Sequence, residues 1–145
     1  MSQSEVKKVG RFAVEVEVAN NDDLVLARRR HLEPSQVRRA TIRGVVDSGA
    51  ARLVLPRAVV KQLGLQTKRK VKVRYADGRR GFRQEVGGVS LKLLGREDVF
   101  SAIVEAKRDS ALIGAIVLED LDLLVDCTHQ RLYPRDPKFI VSEIE

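Results

Sequence analysis

One acidic side chain, Asp47, interrupts the largely apolar stretch GVVDSGAARLVLP between Gly44 and Pro56. A carboxylate in such a setting is costly, because an unpaired buried charge either loses several kcal/mol of solvation or takes up a proton. Asp47, Ser48, Gly49 and Ala50 together form a tight turn, and the plain alternative is an aspartate that caps its own backbone, since Asp-Ser-Gly is common turn chemistry. The other reactive side chains offer less. Ser48 lacks the G-x-S-x-G elbow of a serine hydrolase, and neither His31 nor His129 has a triad setting, so both histidines read as surface residues. Cys127 is the sole cysteine, which excludes an intramolecular disulfide, and it reads as a buried or half-buried thiol. No Cys/His cluster has metal-ligand spacing, so no zinc or other cofactor is expected.

The elements that must position Asp47 follow mainly a period of two. Phe12, Val14, Val16 and Val18 alternate with Ala13, Glu15 and Glu17, the pattern of a half-buried strand. Residues 19–39 break that pattern with Asn20-Asn21-Asp22-Asp23, an arginine run and Pro34, which predicts a long excursion with one helical turn after Glu33. Residues 40–46 resume as a strand ending at the DSGA turn. Leu53–Leu55 are extended again, and Pro56 opens a short helix through Leu63, closed by Gly64.

The second half repeats this plan loosely. Val71, Val73 and Tyr75 alternate up to Ala76-Asp77-Gly78, and Asp-Gly between two such runs is a strong hairpin signal. Strands are expected over 82–86, 89–94 and 98–105, with turns or bulges at Gly87-Gly88 and Gly95. Ala111–Gly114 reads as an apolar strand ending at glycine, followed by a short helix over 115–121. Leu123–Val125 and Arg131–Tyr133 form a last hairpin, and Phe139–Ile144 an extended tail. Many short strands with two small helices predict a mainly β domain, a closed or partly open barrel occupying the whole chain.

Composition narrows the classes. The 145 residues suit one domain, and without Trp the core must be aliphatic. No signal-peptide core or membrane-spanning run is present, so a soluble, cytoplasmic protein without membrane partners is expected. The net charge of +7 gathers at Arg28–Arg30, Arg38-Arg39, Lys68–Lys70 and Arg79-Arg80. Such clusters are usually solvated surface. The scarcity of aromatic stacking platforms argues against nucleic acid as the partner.

The combination of VVDSGA, LVLP leading into a helix ending LGL, the YADGR hairpin, and ALIG followed by a helix resembles the retropepsin-like aspartic protease domain of clan AA, in its bacterial form. The likeness runs from about Arg11 to Pro134. It implies the acid-protease barrel and an aspartic endopeptidase in which two carboxyl groups share a proton. One takes a proton from water while the other gives one to the carbonyl oxygen or the leaving amine. Asp77 at a hairpin tip and Asp126 without a Ser/Thr-Gly context are poor second carboxylates. The resemblance therefore implies a homodimer with Asp47 of each copy at a two-fold axis, acting on a polypeptide substrate.

The same resemblance assigns roles to neighbours. Ser48 would brace the two turns, Gly49 would let the backbone approach closely, and Ala50 would keep the floor small. Leu112, Ile113 and Gly114 would support the turn. Tyr75, Ala76, Asp77, Gly78 and Arg79 would form a flap over the substrate, with Arg52, Arg79 and Arg80 favouring acidic side chains. The tail at 139–144 would add to the dimer sheet. Two departures stand out: Ala51 and Ala115 occupy positions where the retroviral enzymes commonly carry a paired Asp and Arg. The insertion at 19–39 has no counterpart in the minimal fold, and is expected either to cover the dimer interface or to be disordered. The competing class is a catalytically silent barrel that binds an acidic protein or nucleic acid through its basic surface.

Overall fold

A computed structural model of the chain describes residues 11–145. Among these described residues nine strands carry the architecture: β1 Arg11–Asn20, β2 Arg39–Asp47, β3 Leu53–Pro56, β4 Thr67–Arg74, β5 Arg80–Leu93, β6 Arg96–Glu105, β7 Ala111–Ile113, β8 Leu123–Asp126 and β9 Arg131–Pro134. The main sheet runs β1-β2-β7-β3-β6-β5-β4, and an additional β1–β5 pairing closes its first six strands into a barrel. The mainly β barrel expected from the period-two pattern is therefore present. β4 lies outside the closure as the outer arm of a hairpin with β5, and β8–β9 form a separate ribbon.

β5 is long enough to serve three neighbours because it bends. Its register shifts between Val86 and Val89, where Gly87-Gly88 sits, so one edge of its first part pairs with β4 and that of its later part with β1, while β6 pairs with both parts along the other edge. An extra residue of this kind tightens twist and turns a flat ribbon into a barrel wall. Inside, the filling is aliphatic as expected: Leu53, Leu55, Leu63, Val89, Leu91 and Ile113 are among the fully buried side chains. Of the four phenylalanines, Phe12 and Phe100 join the core and Phe82 and Phe139 face solvent.

Two helices match the expectation and a third does not. α2, Arg57–Leu63, follows Pro56 and ends at Gly64, and α3, Ala115–Asp120, follows Gly114. The preceding helix, α1, spans Asn21–Arg28 within the excursion that sequence reading left without a helix there. The Asn-Asn-Asp-Asp run is a helix start rather than a breaker. Asn20 Oδ1 accepts from the Asp23 N–H, and acidic residues occupy the first turn, where the helix dipole favours them. Asn20 also donates from Nδ2 to the Leu63 carbonyl, tying α1 to the end of α2. Asp23 is buried and forms a two-pronged pair with Arg38, which holds its carboxyl below the ordinary range. The helical turn after Glu33 exists as a 3-10 segment at Pro34–Gln36. The excursion is thus ordered, not the disordered insertion offered as one expectation.

The β1–β2 register places this excursion relative to Asp47. Arg11 pairs with Asp47 at one end of the ladder and Ala19 with Arg39 at the other. At roughly 3.3 Å per residue, the insertion sits almost the full length of β1 away from the DSGA turn. Cys127 departs from expectation as well: it is exposed in the turn between β8 and β9. No helix among the described residues is long and apolar enough to cross a membrane.

Candidate active site

Asp47 closes β2, and three interactions fix it. Its Oδ1 accepts from the Gly49 N–H at 3.0 Å, its carbonyl accepts from the Ala50 N–H at 3.1 Å, and its Oδ2 pairs with Arg11 Nη2 at 2.9 Å. The side chain retains 24% of its exposure, so it is half-buried and already compensated within one chain. The costly unpaired carboxylate anticipated from the sequence is therefore not what the single chain contains, because the barrel register delivers Arg11 to it.

The floor under the turn comes from the far end of the sequence. β7 lies between β2 and β3, parallel to the first and antiparallel to the second, pairing Val46 with Ile113 and Leu53 with the same Ile113. The first two N–H groups of α3, from Ala115 and Ile116, donate to the carbonyls of Ala50 and Ala51 at 2.8 and 3.0 Å. Backbone of the loop and of α3 thus meet where the sequence has alanines. Gly114 is required by that closeness: a Cβ there would stand 2.4 Å from the Arg52 carbonyl oxygen and 2.8 Å from that of Ala50. At Gly49 a Cβ would meet only the Asp47 carboxylate, at 3.3 Å, so within one chain that position is open.

A cleft of about 720 Å³ runs beside the turn. Asp47, Gly49, Ala50 and Arg52 line one side, residues 71–76 of β4 and its turn the other, with Leu112 beneath. Tyr75 and Ala76 of the expected flap therefore face the same space as Asp47. Asp77 and Gly78 sit at the hairpin tip outside that lining, and Arg79 opens onto a neighbouring groove. The tip is a tight turn, with the Gly78 N–H donating to the Tyr75 carbonyl and φ of +88° at Gly78, a value that favours glycine. Ser48 is exposed next to the turn, while Ile113 and Gly114 lie beneath it.

Two carboxylates not singled out by sequence reading organise the walls. Glu85 of β5 is almost fully buried and is bonded by Arg52 from the active loop and by Arg69 from β4. The Arg69 and Arg52 hydrogen bonds outweigh burial and hold its carboxyl below the ordinary range. Arg52 is therefore a brace between loop and hairpin while it also lines the cleft. Glu105 of β6 lines the cleft and accepts from Tyr75 Oη and from Arg83 Nε. Burial pushes its carboxyl up, but those two donors prevail and it stays low. Arg11, Glu85 and Glu105 all act across strands, and only their register reveals them.

The model of the family described as "gag-polyprotein putative aspartyl protease" matches residues 34–120, more than half of the chain, from the 3-10 segment through α3. The chain belongs to this family of retropepsin-like aspartic proteases. Among solved structures, the EIAV protease complexed with the inhibitor HBY-793 superposes with a TM-score of 0.51 at 21% identity, covering 77% of this chain and 88% of that one. That likeness supports the barrel fold. The solution structure of the simian foamy virus (mac) protease matches with a TM-score of 0.48 at 13% identity, covering 74% of this chain and 91% of that one. No curated protein matches the sequence. In this aspartic endopeptidase of the retropepsin type, two carboxylates among the described residues line the cleft, Asp47 and Glu105, and the second is held by Tyr75 and Arg83.

Proposed function

We propose that the chain acts as a homodimer in which Asp47 from each copy forms the general acid/base pair that cleaves peptide bonds. The observation that carries this reading is the solitary setting of Asp47. It stands at the rim of a peptide-sized cleft, on a turn floored by β7, while Glu105, the other carboxylate of that cleft, is committed to two donors. A group held ionised by Tyr75 and Arg83 is a poor proton donor. A second copy supplies the missing carboxyl.

Two like charges a few Å apart cannot both ionise, so the pair holds one proton and titrates as a unit. The ionised member takes a proton from water as its oxygen bonds to the scissile carbonyl carbon. The protonated member gives its proton to the carbonyl oxygen. Collapse of the tetrahedral intermediate breaks the C–N bond as the amine nitrogen takes up a proton, leaving a carboxyl and an amine terminus. The exposed Ser48 would face its counterpart, and the hairpin at Tyr75–Arg80 would close over an extended substrate. Phe139, Ile140, Val141 and Ile144 are exposed apolar side chains of the tail, suited to pairing in a dimer sheet.

A second reading has one observation in its favour. Arg11 and the Gly49 N–H satisfy Asp47 within a single chain, as a silent binding barrel would require. Incubation of the protein and of its Asp47→Asn variant with a diverse peptide mixture over a range of pH, with mass spectrometry of the products, separates the two. New termini made only by the unaltered chain, within a bell-shaped pH window, are expected. Equal cleavage by both proteins, or a strictly monomeric protein in sedimentation velocity, would overturn the dimeric Asp47 mechanism.

A further inference from the structure

A second groove, about 560 Å³, lies on the outer face of the β4–β5 hairpin. Six cationic side chains line it: Arg57, Lys70, Arg79, Arg83, Lys107 and Arg108. Glu105 is the one carboxylate among its lining residues, and it is already paired with Arg83. Arg79 is paired with Asp77 at the hairpin tip. Among the described residues, no carboxylate lies within ion-pairing distance of Arg57, Lys70 or Lys107, and all three are exposed. Three uncompensated cations facing one concavity repel one another, so the groove is arranged for an anion that the chain itself does not supply.

Two further features indicate what kind of anion. The groove shares Tyr75, Glu105 and Arg108 with the Asp47 cleft, so a chain lying in one runs directly into the other. Phe82, 61% exposed, stands between Lys70 and Lys72, each 5.7 Å from its ring, and gives the groove an apolar platform within a cationic frame. Alternating acidic and apolar side chains on an extended peptide match that arrangement.

We propose that this groove binds an acidic segment of the polypeptide substrate beside the scissile bond, selecting substrates rich in Asp and Glu on one side of the cut. The assignment rests on the protease reading above for its continuity with the cleft. Its recognition chemistry is separate, because it depends on Arg57, Lys70 and Lys107 rather than on Asp47.

The test uses the full chain carrying Asp47→Asn, which binds without cutting, and two fluorescein-labelled decapeptides followed by anisotropy. One carries four Glu beside an apolar pair, and the other has Gln at those four positions. The Glu peptide is expected to bind more tightly than the Gln peptide and to weaken as salt is raised. Adding R57Q/K70Q/K107Q should weaken the Glu peptide by about tenfold, a sum of three screened charge contacts, and leave the Gln peptide unchanged. The charge-keeping variant R57K/K70R/K107R should retain binding, which separates lost charge from lost folding. Equal affinity for the two peptides, or undiminished binding by the Gln variant, overturns the proposal. So does a single-stranded oligothymidylate that displaces the Glu peptide at lower concentration, which would assign the groove to nucleic acid. Failure of the protease reading shows separately, as tight Glu-peptide binding while the chain with Asp47 intact leaves the same peptide uncut.

Discussion

Arg11 Nη2 lies 2.9 Å from Asp47 Oδ2, across the terminal pair of the β1–β2 ladder. The contact exists because the two residues are register partners. A carboxylate proposed to share a proton with its twin is thus held in each chain by a guanidinium.

Both partners are partly exposed, with 39% and 24% of their side-chain surface accessible. A double-mutant cycle of Arg11→Gln and Asp47→Asn, read by urea unfolding, should give a coupling of at most about 1 kcal/mol that fades in roughly 1 M salt. In cleavage assays Arg11→Gln should lower kcat about tenfold with little change in KM, because it orients the reacting carboxylate rather than the peptide. A loss confined to KM would place Arg11 on the substrate instead.

Gly114→Ala tests the closeness of the active loop and α3. The added Cβ meets backbone oxygens of Arg52 and Ala50 at 2.4 and 2.8 Å, and backbone cannot swing aside as a side chain can. A loss of about 1–3 kcal/mol in unfolding free energy is expected, as for other overpacked sites. Hydrogen exchange at the Ala115 and Ile116 amides should accelerate, since their bonds to Ala50 and Ala51 are the ones forced apart.

Glu85→Gln removes the charge that draws Arg52 and Arg69 together, and should cost about 1–3 kcal/mol as two charge-assisted hydrogen bonds weaken. The pH dependence has a fixed direction. The folded chain holds the Glu85 proton less tightly than the unfolded chain, so its stabilisation is complete at neutral pH and disappears as pH falls below about 4. The difference between variant and unaltered chain in thermal melts should therefore shrink in acid. A constant difference down to pH 3 would separate Glu85 from the acid limb.

The carboxyl pair Asp98 and Asp120 behaves in the opposite sense. Asp120 is pushed up to about 6, first by a hydrogen bond shared with Asp98, then by burial and by that neighbour's charge. Asp98 is held low by the same bond and by the Val99 N–H. The folded chain binds the Asp120 proton more tightly than the unfolded one, so this stabilisation is present near pH 4 and is lost as pH rises through about 6. Asp120→Asn should flatten the decline of Tm between pH 5 and pH 8.

Strands, hairpins and the DSGA turn were legible because each is a local pattern. Val14, Val16 and Val18 alternate within a few residues, and Asp77-Gly78 needs only its own neighbours to turn. The floor of the site was legible only through resemblance, since nothing local says that Ile113 will lie between Val46 and Leu53. Arg11 and Glu85 were missed for the same reason: a charged residue on a strand acquires its partner from register. The helix α1 was missed because Asn20 and Asp23, read as breakers, act as cap and anchor. Cys127 was misplaced because a thiol's preference for burial is weak beside the demands of a four-residue turn.

The placement of β7 also sets an order of events in time. Gly44, already paired with Val14, must wait for Ala111 on its other edge, and the Ala50 carbonyl must wait for the Ala115 N–H. Contacts so distant along the chain form late, after the hairpins that need only their own turns. A ribosome making this chain releases the Asp47 turn early and its foundation only after most of the barrel has emerged. The turn that carries Asp47 is drafted first and given its floor last.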